Sequence, residues 1–208
     1  MYKLFKRVLD FISALRLLVL ISPLFLVLMA LVCVKLAAPI FFKQERVTKD
    51  LHRFYIMKFR TRTDARDAEG RPLPDEQRMT PFGSFLRSTS LDELPELLNI
   101  IKGDMSVIGP RPLPPVYDAF YTDSEKTGFR VRGSLILPDS VADSAIVSWD
   151  TQLKYEAAYG QDPTFKKDAV IFINAFKILF FRQNTDCGEF VREPLNVERS
   201  YMATDCNK

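Results

Sequence analysis

The hydrophobic pattern is dominated by an almost uninterrupted apolar run over residues 11–34, FISALRLLVLISPLFLVLMALVCV. About 20 apolar residues suffice to cross a bilayer, whereas this run is too long for a signal peptide and lacks a small-residue cleavage site after it. Pro23 stands at its centre beside Ser22, whose hydroxyl can bond a preceding carbonyl and bend a helix. The pattern therefore predicts two helical halves that meet at a break at Ser22 and Pro23.

Positive charge on both sides of this run favours a hairpin over a single-pass anchor. Lys and Arg prefer the cytoplasmic side of a membrane, and a spanning helix would place only one flank there. We therefore expect residues 1–38 to form a re-entrant helix-break-helix hairpin that contacts phospholipids, with a single-pass anchor as the alternative. The flanking basic residues are Lys3, Lys6, Arg7, Lys35, Lys43 and Arg46.

Two further segments have amphipathic helical patterns. Residues 163–181 place Phe165, Phe172 and Phe176 near one side, and residues 114–125, PPVYDAFYTDSE, form a shorter pattern of the same kind. A Phe-rich face with nearby lysines suits a helix that lies on a membrane surface. Packing in a protein core is the alternative for the longer segment.

One segment has the alternating pattern of side chains that is typical of a β-strand. In FYIMKFRT, residues 54–61, a period of two puts Lys58 and Arg60 on the same face. We predict an α/β fold, helix-rich with a short sheet, in a monotopic membrane protein with interfacial helices. The main domain is expected at 39–182, and 183–208 are expected to form a polar, mobile tail.

The stretch SLDELPELLNIIKG, residues 90–103, sets two carboxylates before a short helical pattern of leucines. Ser90 and Glu93 have the spacing of a capping box, which would make the acids a helix cap. Pro95 argues for a second interpretation, because proline is comfortable at the first helical position and not one turn later. Asp92 and Glu93, here called the acidic dyad, would then lie just outside the helix. Both interpretations stay open on the pattern alone.

Composition excludes several classes of function. A net charge of +3 is too small to argue for nucleic-acid binding, and three cysteines without a CxxC pair fit a reducing compartment. His52 is the only histidine, which excludes a two-histidine metal site and disfavours a Ser-His-Asp hydrolase. The chemistry is therefore expected from carboxylates and cations.

Two arginines flank the dyad in sequence. Arg87 precedes it, and Arg111 follows it between two prolines that fix an extended backbone. Rigid arginines suit bidentate binding of phosphate oxygens, and the acids could hold Mg²⁺ or attack phosphorus. Together with the apolar run, these residues indicate phosphate chemistry at a bilayer surface.

Four segments together resemble the small monotopic polyprenyl-phosphate phosphoglycosyl transferases, the bacterial sugar transferase family. The resemblance covers roughly residues 3–180 and is carried by FKRVLDFISALRLLVLISP, KFRT, TPFGSFLRSTSLDELPELLNIIKGDMSVIGPRP and SWDTQLKYEAAYG. It implies an enzyme at the cytoplasmic face of the bacterial inner membrane, with 39–182 as its catalytic domain. That enzyme would move a phospho-sugar from a nucleotide diphosphate sugar, expected to be UDP-linked, to polyprenyl phosphate and so start lipid-linked glycan assembly.

The resemblance also implies roles for single residues. Asp92 matches the family's nucleophile and Mg²⁺ ligand, and Glu93 matches the second catalytic acid. Arg87 and Arg111 match phosphate-binding cations, and Lys58 and Arg60 stand in the family's KF[KR]T motif near the active site. Ser22 and Pro23 match the helix-breaking pair of the re-entrant hairpin.

One stretch departs from the family. Residues 130–149, RVRGSLILPDSVADSAIVSW, stand where the family usually reads VRPGITGLAQVNGR before its Ser-Trp, so that Gly133, Ser140 and Ser144 replace a Pro, a Gln and an Arg. The departure leaves the sugar and nucleotide open and gives Asp139 and Asp143 a conceivable role. It motivates two alternatives, a related membrane-surface phosphohydrolase and a transferase with an unusual donor. A catalytically idle membrane scaffold is a third, which the intact dyad argues against.

Overall fold

Helices predominate in the computed structural model, which describes residues 2–142, 148–180 and 192–200. The strands of the described ranges are β1 (Phe41–Val47), β2 (Arg53–Phe59), β3 (Ser106–Ile108) and β4 (Ser134–Ile136). The α-helices there are α1 (Tyr2–Leu20), α2 (Ser22–Leu36), α3 (Asp75–Arg78), α4 (Pro81–Ser88), α5 (Glu96–Lys102), α6 (Trp149–Gln161), α7 (Phe165–Phe180) and α8 (Leu195–Glu198).

The chain forms two compact units, each assembled from segments that are distant in sequence. The first, here called the dyad unit, consists of residues 11–44 and 55–102 and contains the acidic dyad. The second, here called the parallel-strand unit, consists of residues 1–10, 45–54 and 103–208 and contains β3 and β4. The division at residues 38 and 182 expected from sequence stays a prediction.

The predicted helix break is present between α1 and α2. The two helices meet at an angle of 68°, and the Ser22 hydroxyl donates a hydrogen bond of 2.8 Å to the Val19 carbonyl. Pro23 lies in the first turn of α2, where its missing N–H costs no helical bond. Within the described part of the chain, only this bent pair, and neither helix by itself, has the length and apolar character of a membrane-spanning segment.

The core of the dyad unit joins α2 to β2 and α4. Val32, Phe59 and Leu86 are at most 1% exposed, and Leu28 and Leu36 complete the cluster. Full burial of each such side chain contributes about 1.5–3 kcal/mol to stability. The same cluster packs against Leu91 and Leu94, which flank the acidic dyad, so the hydrophobic core fixes the backbone on both sides of the two acids.

The structure contains two short sheets where the sequence indicated one. Strands β1 and β2 form a two-stranded sheet, and β3 pairs with β4 in parallel, with Ser106 opposite Ser134 and Ile108 opposite Ile136. In the parallel-strand unit, Ile108 packs with Val131, Tyr159 and Ile171. The helix-rich α/β prediction is thus confirmed for its secondary structure.

The other predicted elements are found with changed bounds. Residues 163–181 were predicted as a helix, and α7 covers Phe165–Phe180 with Phe172 and Phe176 half exposed. The shorter amphipathic pattern forms a 3-10 helix over Pro115–Phe120.

Part of the predicted mobile tail is packed. Leu195 is fully buried, and the Arg199 guanidinium donates two hydrogen bonds of 2.8 Å to the Glu125 carboxylate. Residues 192–200 therefore belong to the parallel-strand unit as a folded segment. The remainder of that predicted tail, 183–191 and 201–208, lies outside the described residues.

Candidate active site

The acidic dyad lies in a 3-10 turn, Leu91–Glu93, ahead of helix α5. Helix α5 begins at Glu96, directly after Pro95. Ser90 adopts a left-handed conformation with φ of 56°, and its side chain makes no capping hydrogen bond with the described residues. The capping-box interpretation is therefore wrong, since Pro95 delays the helix and leaves both acids outside it. Both carboxylates therefore lie ahead of the helix and do not cap it.

Asp92 is the buried member of the dyad. It is 8% exposed, and burial raises the pKa of its carboxyl because the ionised form loses water. The nearby charges of Lys58 and Arg87 lower this pKa, whereas Glu93 raises it. Two cations of the dyad unit thus support an anionic, partly desolvated Asp92, which is the state that a nucleophile needs.

Lys58 connects the dyad to strand β2. Its ammonium lies 2.5 Å from Oε1 of Glu93 and 3.2 Å from Oε1 of Glu96. Burial lowers the pKa of Lys58, but both carboxylates raise it, and the net pKa lies above its ordinary value. Lys58 is therefore a stable cation that holds Glu93 beside Asp92.

Two residues of α5 that sequence reasoning missed set this geometry. Asn99 is 1% exposed, accepts a 3.0 Å hydrogen bond from the Met57 amide and donates one of 2.8 Å to the Tyr55 carbonyl. Glu96, 3% exposed, binds Lys58 from the same helix. Polar residues three positions apart in a leucine-rich helix are the signal that could have revealed them, because buried polar groups need partners.

Arg87 lies in the last turn of α4. The Thr80 hydroxyl caps α4 by accepting from the Gly83 amide at 3.0 Å. A Cβ on Gly83 would lie 1.8 Å from the Thr61 carbonyl oxygen, so glycine allows α4 to approach that backbone closely. Arg87 then donates from Nε to the Thr61 hydroxyl at 3.1 Å. Exposed and tethered at one nitrogen, its guanidinium can present other donors to an anion.

The two remaining predicted cations have other surroundings. Arg60 donates hydrogen bonds of 2.8 Å to the carbonyls of Ala38 and Arg62, so it supports the backbone of the dyad unit. Arg111 belongs to the parallel-strand unit, is exposed, and has its amide bound to the Glu156 carboxylate at 3.1 Å. The phosphate-binding roles of both arginines stay predictions.

The predicted Mg²⁺ ligand, Asp92, can be tested against the donors around it. No cluster of three or more His, Cys, Asp or Glu side chains suited to a metal exists within the described ranges. Mg²⁺ keeps several waters and is usually bound by one or two carboxylates together with substrate phosphates. A single carboxylate at Asp92 fits an ion that shares its coordination with a diphosphate, and it does not fit an all-protein cage.

The stretch that departs from the family, 130–149, is described apart from residues 143–147. Gly133 donates from its amide to the Thr48 hydroxyl at 3.0 Å, and burial raises the pKa of Asp139 while Arg111 and Arg192 lower it. Ser140 lies near the Ile171 carbonyl at 3.5 Å. Ser144 and Asp143 lie outside the described residues.

Comparisons with known proteins identify the family of the chain. A family model described as bacterial sugar transferase matches residues 1–182. An uncharacterized sugar transferase, EpsL of Bacillus subtilis strain 168, is 37% identical over 166 residues, which are 80% of this chain and 82% of that protein. A putative undecaprenyl-phosphate N-acetylgalactosaminyl 1-phosphate transferase of the same strain is 38% identical over 133 residues, 63% of this chain and 74% of the relative.

A third relative is named for a different sugar. The UDP-glucose:undecaprenyl-phosphate glucose-1-phosphate transferase of Caulobacter vibrioides is 41% identical over 122 residues, 56% of this chain and 45% of that protein. The two relatives that are named for undecaprenyl phosphate share the type of reaction, transfer of a sugar 1-phosphate, and differ in the sugar.

Proposed function

Because this chain belongs to the bacterial sugar transferase family, we propose that it transfers a phospho-sugar from a nucleotide diphosphate sugar to polyprenyl phosphate. The observation that carries the proposal is the buried Asp92 carboxylate in the field of Lys58 and Arg87, with Glu93 adjacent. Undecaprenyl phosphate is the proposed acceptor and a UDP-sugar the proposed donor, since both occur in the names of relatives. The product would be the first lipid-linked intermediate of a glycan.

The proposed reaction has two displacements at Asp92. In the first, an Asp92 oxygen attacks the phosphorus next to the sugar, and the bond to the nucleoside monophosphate breaks as that group leaves with its electron pair. In the second, the phosphate oxygen of the polyprenyl phosphate attacks the same phosphorus and releases Asp92 as carboxylate. A covalent intermediate lets a soluble donor and a lipid acceptor use one site in turn.

The other residues of the dyad unit would assist by position and charge. Lys58 holds Glu93 beside Asp92, where Glu93 can position the acceptor or exchange a proton with it. Arg87 would bind phosphate oxygens of the donor. Arg111, which belongs to the parallel-strand unit, is the other residue proposed to bind phosphate. When bound at Asp92, Mg²⁺ would neutralise charge on the diphosphate.

The bent pair α1 and α2 supports a proposed monotopic arrangement. Exposed apolar side chains cover both helices, among them Leu20, Leu26 and Val34, and the Ser22 bond maintains the bend. We place the hairpin in the cytoplasmic leaflet of the bacterial inner membrane, where phospholipids would cover these side chains. The half-exposed phenylalanines of α7 suit contact with a membrane surface.

The deciding experiment incubates the purified, detergent-solubilised protein and Mg²⁺ with a panel of UDP-sugars, with and without undecaprenyl phosphate. The expected result is sustained release of UMP that requires the lipid and yields a lipid-linked phospho-sugar. The Asp92→Asn variant is the matched control, because it keeps the side-chain shape. Absence of a lipid product with every sugar would contradict the proposal.

A phosphohydrolase is the alternative that the altered stretch at 130–149 motivates. Water, and not the lipid phosphate, would then attack the phosphorus of the intermediate and release Asp92. Release of sugar phosphate and UMP at the same rate with and without undecaprenyl phosphate would favour this alternative. The reactions with the panel of UDP-sugars measure both rates.

A further inference from the structure

A positively charged cavity of about 60 Å³ opens in the parallel-strand unit. Such a volume accommodates about four water-sized atoms. Six cationic side chains line it, whereas Asp10 is the one carboxylate among its lining residues. None of the dyad, Lys58, Arg60, Arg87 or Arg111 lines it. The cations are Lys3, Lys6, Arg7, Lys49, Arg130 and Arg132.

The carboxylate of Asp10 is already engaged in the fold. It accepts hydrogen bonds from the Ser106 hydroxyl at 2.6 Å and the Val107 amide at 3.2 Å, and it lies 3.7 Å from the Lys6 ammonium. Lys6 in turn forms an ion pair of 2.7 Å with Asp168. These contacts match Lys6 with buried carboxylates, so the other five lining cations carry the excess positive charge of the cavity.

Two of these cations, Lys49 and Lys3, make weak contacts. Lys49 lies 3.2 Å from Asp50, but both side chains are largely exposed, and exposed pairs of this kind are weak and easily exchanged. Lys3 makes a long contact of 3.5 Å with the Arg130 carbonyl. An anion that entered the cavity could therefore replace the weak contacts of Lys3 and Lys49.

Two guanidinium groups of the cavity wall lie close to Gly103. Arg132 donates from Nε to the Gly103 carbonyl at 2.7 Å. The Arg7 guanidinium lies 3.0 Å from the point where a Cβ of Gly103 would stand, so glycine there leaves room for it. A guanidinium carries five N–H donors in a planar fork that matches phosphate oxygens, and a positioned fork loses little entropy on binding.

We propose that this cavity binds a phosphate group. Its size suits the four oxygens of one phosphate, and its cations favour a dianion or monoanion over a neutral molecule. The group could belong to a phospholipid headgroup or to a soluble phosphate compound. The first two turns of α1 favour the lipid, because Leu4, Phe5 and Val8 are exposed beside Lys3 and Arg7 and could contact acyl chains. The proposal does not rest on the proposed transferase function.

The test uses a double variant that removes two exposed cations, Lys3→Gln with Arg130→Gln. Its matched control, Lys126→Gln with Lys154→Gln, removes the same charge from exposed positions of the same unit outside the cavity. The full-length protein in neutral detergent is titrated with inorganic phosphate against chloride at equal ionic strength. It is titrated separately with phosphatidylglycerol against diacylglycerol, which lacks the phosphate. Thermal unfolding and direct calorimetry report binding.

We expect the parent and the control to bind at least one phosphate compound with the same affinity. The affinity of the cavity variant should fall about tenfold or more, since two charge-assisted contacts are lost. Binding of phosphatidylglycerol alone would identify a headgroup site, and binding of inorganic phosphate would identify a soluble source.

The charge-conserving variant Lys3→Arg with Arg130→Lys separates lost binding from lost folding, because it should retain affinity. Equal affinities of the cavity variant and the control, or a parent that binds neither phosphate compound, would overturn the proposal. None of these measurements depends on turnover, so their outcome is independent of the outcome for the transferase reaction.

Discussion

Lys58 and Glu93 form an ion pair of 2.5 Å that joins strand β2 to the turn carrying the acidic dyad. Glu96 completes the arrangement from helix α5 at 3.2 Å. Since the Glu96 side chain is only 4% exposed, Lys58 compensates a buried charge as well as positioning Glu93. One cation therefore serves the fold and the candidate active site together.

Replacing Lys58 by Met should damage stability and activity. The buried Glu96 would lose its cation, and breaking such a pair from one side costs about 2 kcal/mol or more. Turnover should fall about 100-fold or more, because Glu93 would no longer be held beside Asp92. Chemical denaturation and steady-state kinetics measure the two effects. Lys58→Arg, which keeps the charge, should recover most of the stability.

The pH dependence of this contribution follows from the sign of the shift. The pKa of Lys58 in the folded protein lies above its ordinary value of 10.5. Its stabilising effect is therefore complete below that pH and is lost as the pH rises through the folded-state pKa. The stability difference between parent and Lys58→Met should shrink at strongly alkaline pH. A difference that stays constant there would argue against the ion pair as its cause.

Glu156→Gln should remove a pH dependence of stability near neutrality. Burial raises the pKa of Glu156 from 4.5 to about 7, while hydrogen bonds from Gln152 and the Arg111 amide lower it. As pH rises from 4.5 to about 7, the unfolded chain loses this proton and the folded chain retains it, so stability falls, by about 3 kcal/mol at most. The variant should therefore equal the parent near pH 4.5 and exceed it at pH 8.

Chemical denaturation of parent and variant across this pH range measures the difference. Other groups titrate in both proteins, so only the difference between the two curves is informative. Two parallel curves would show that Glu156 is not the group responsible.

Replacing Ser22 and Pro23 together by alanine should straighten the junction of α1 and α2. The Ser22 hydroxyl would no longer bond the Val19 carbonyl, and an amide would become available at position 23 for a continuous helix. The amino terminus could then cross the membrane. Labelling of an amino-terminal tag by a membrane-impermeant reagent, in intact and lysed cells, reports its side.

In the parent, we expect the amino-terminal tag to be labelled only after lysis, whereas the double variant should gain labelling in intact cells. Ser22→Ala alone is the control, since Pro23 would still break the helix. Labelling of the parent in intact cells would contradict the re-entrant arrangement.

The helix break and the extent of α7 could be predicted because their causes are local. Pro23 lacks a donor wherever it stands, and the apolar periodicity of α7 needs no knowledge of neighbours. Pro95 favoured a placement of the dyad outside α5 for the same reason, although the pattern alone left the capping box open. The capping-box interpretation is wrong because it rests on the spacing of Ser90 and Glu93 alone. Pro95 stands between Glu93 and the helix.

The pairing of Lys58 with Glu96 and the bonds of Asn99 to β2 could not be predicted. These contacts join residues about 40 positions apart, and period-two alternation assigns Lys58 to a face without naming what covers that face. Arg60 illustrates the same limit. Its position in the period-two pattern is equivalent to that of Lys58, but its guanidinium binds backbone carbonyls. Local pattern determines which residues share an element, and tertiary packing determines their partners.

Asp92→Asn should abolish turnover and leave the fold intact or slightly more stable. The pKa of Asp92 is raised mainly by burial, so its ionised form destabilises the folded state at neutral pH. A neutral amide of the same shape should therefore raise the free energy of unfolding slightly, because no ionised group is then buried. This gain should vanish below the ordinary pKa of 3.8, where the carboxyl is protonated in both states.

The covalent step is tested by the mass of the intact protein after exposure to a UDP-sugar and Mg²⁺ without lipid acceptor. An adduct with the mass of the phospho-sugar is expected on the parent and on Glu93→Gln, because the first displacement requires no proton acceptor. It should be absent from Asp92→Asn, whose turnover should fall by several orders of magnitude. Glu93→Gln should retain the adduct while losing turnover with lipid. An Asp92→Asn variant as active as the parent would exclude the aspartyl intermediate and leave the buried carboxylate without a catalytic role.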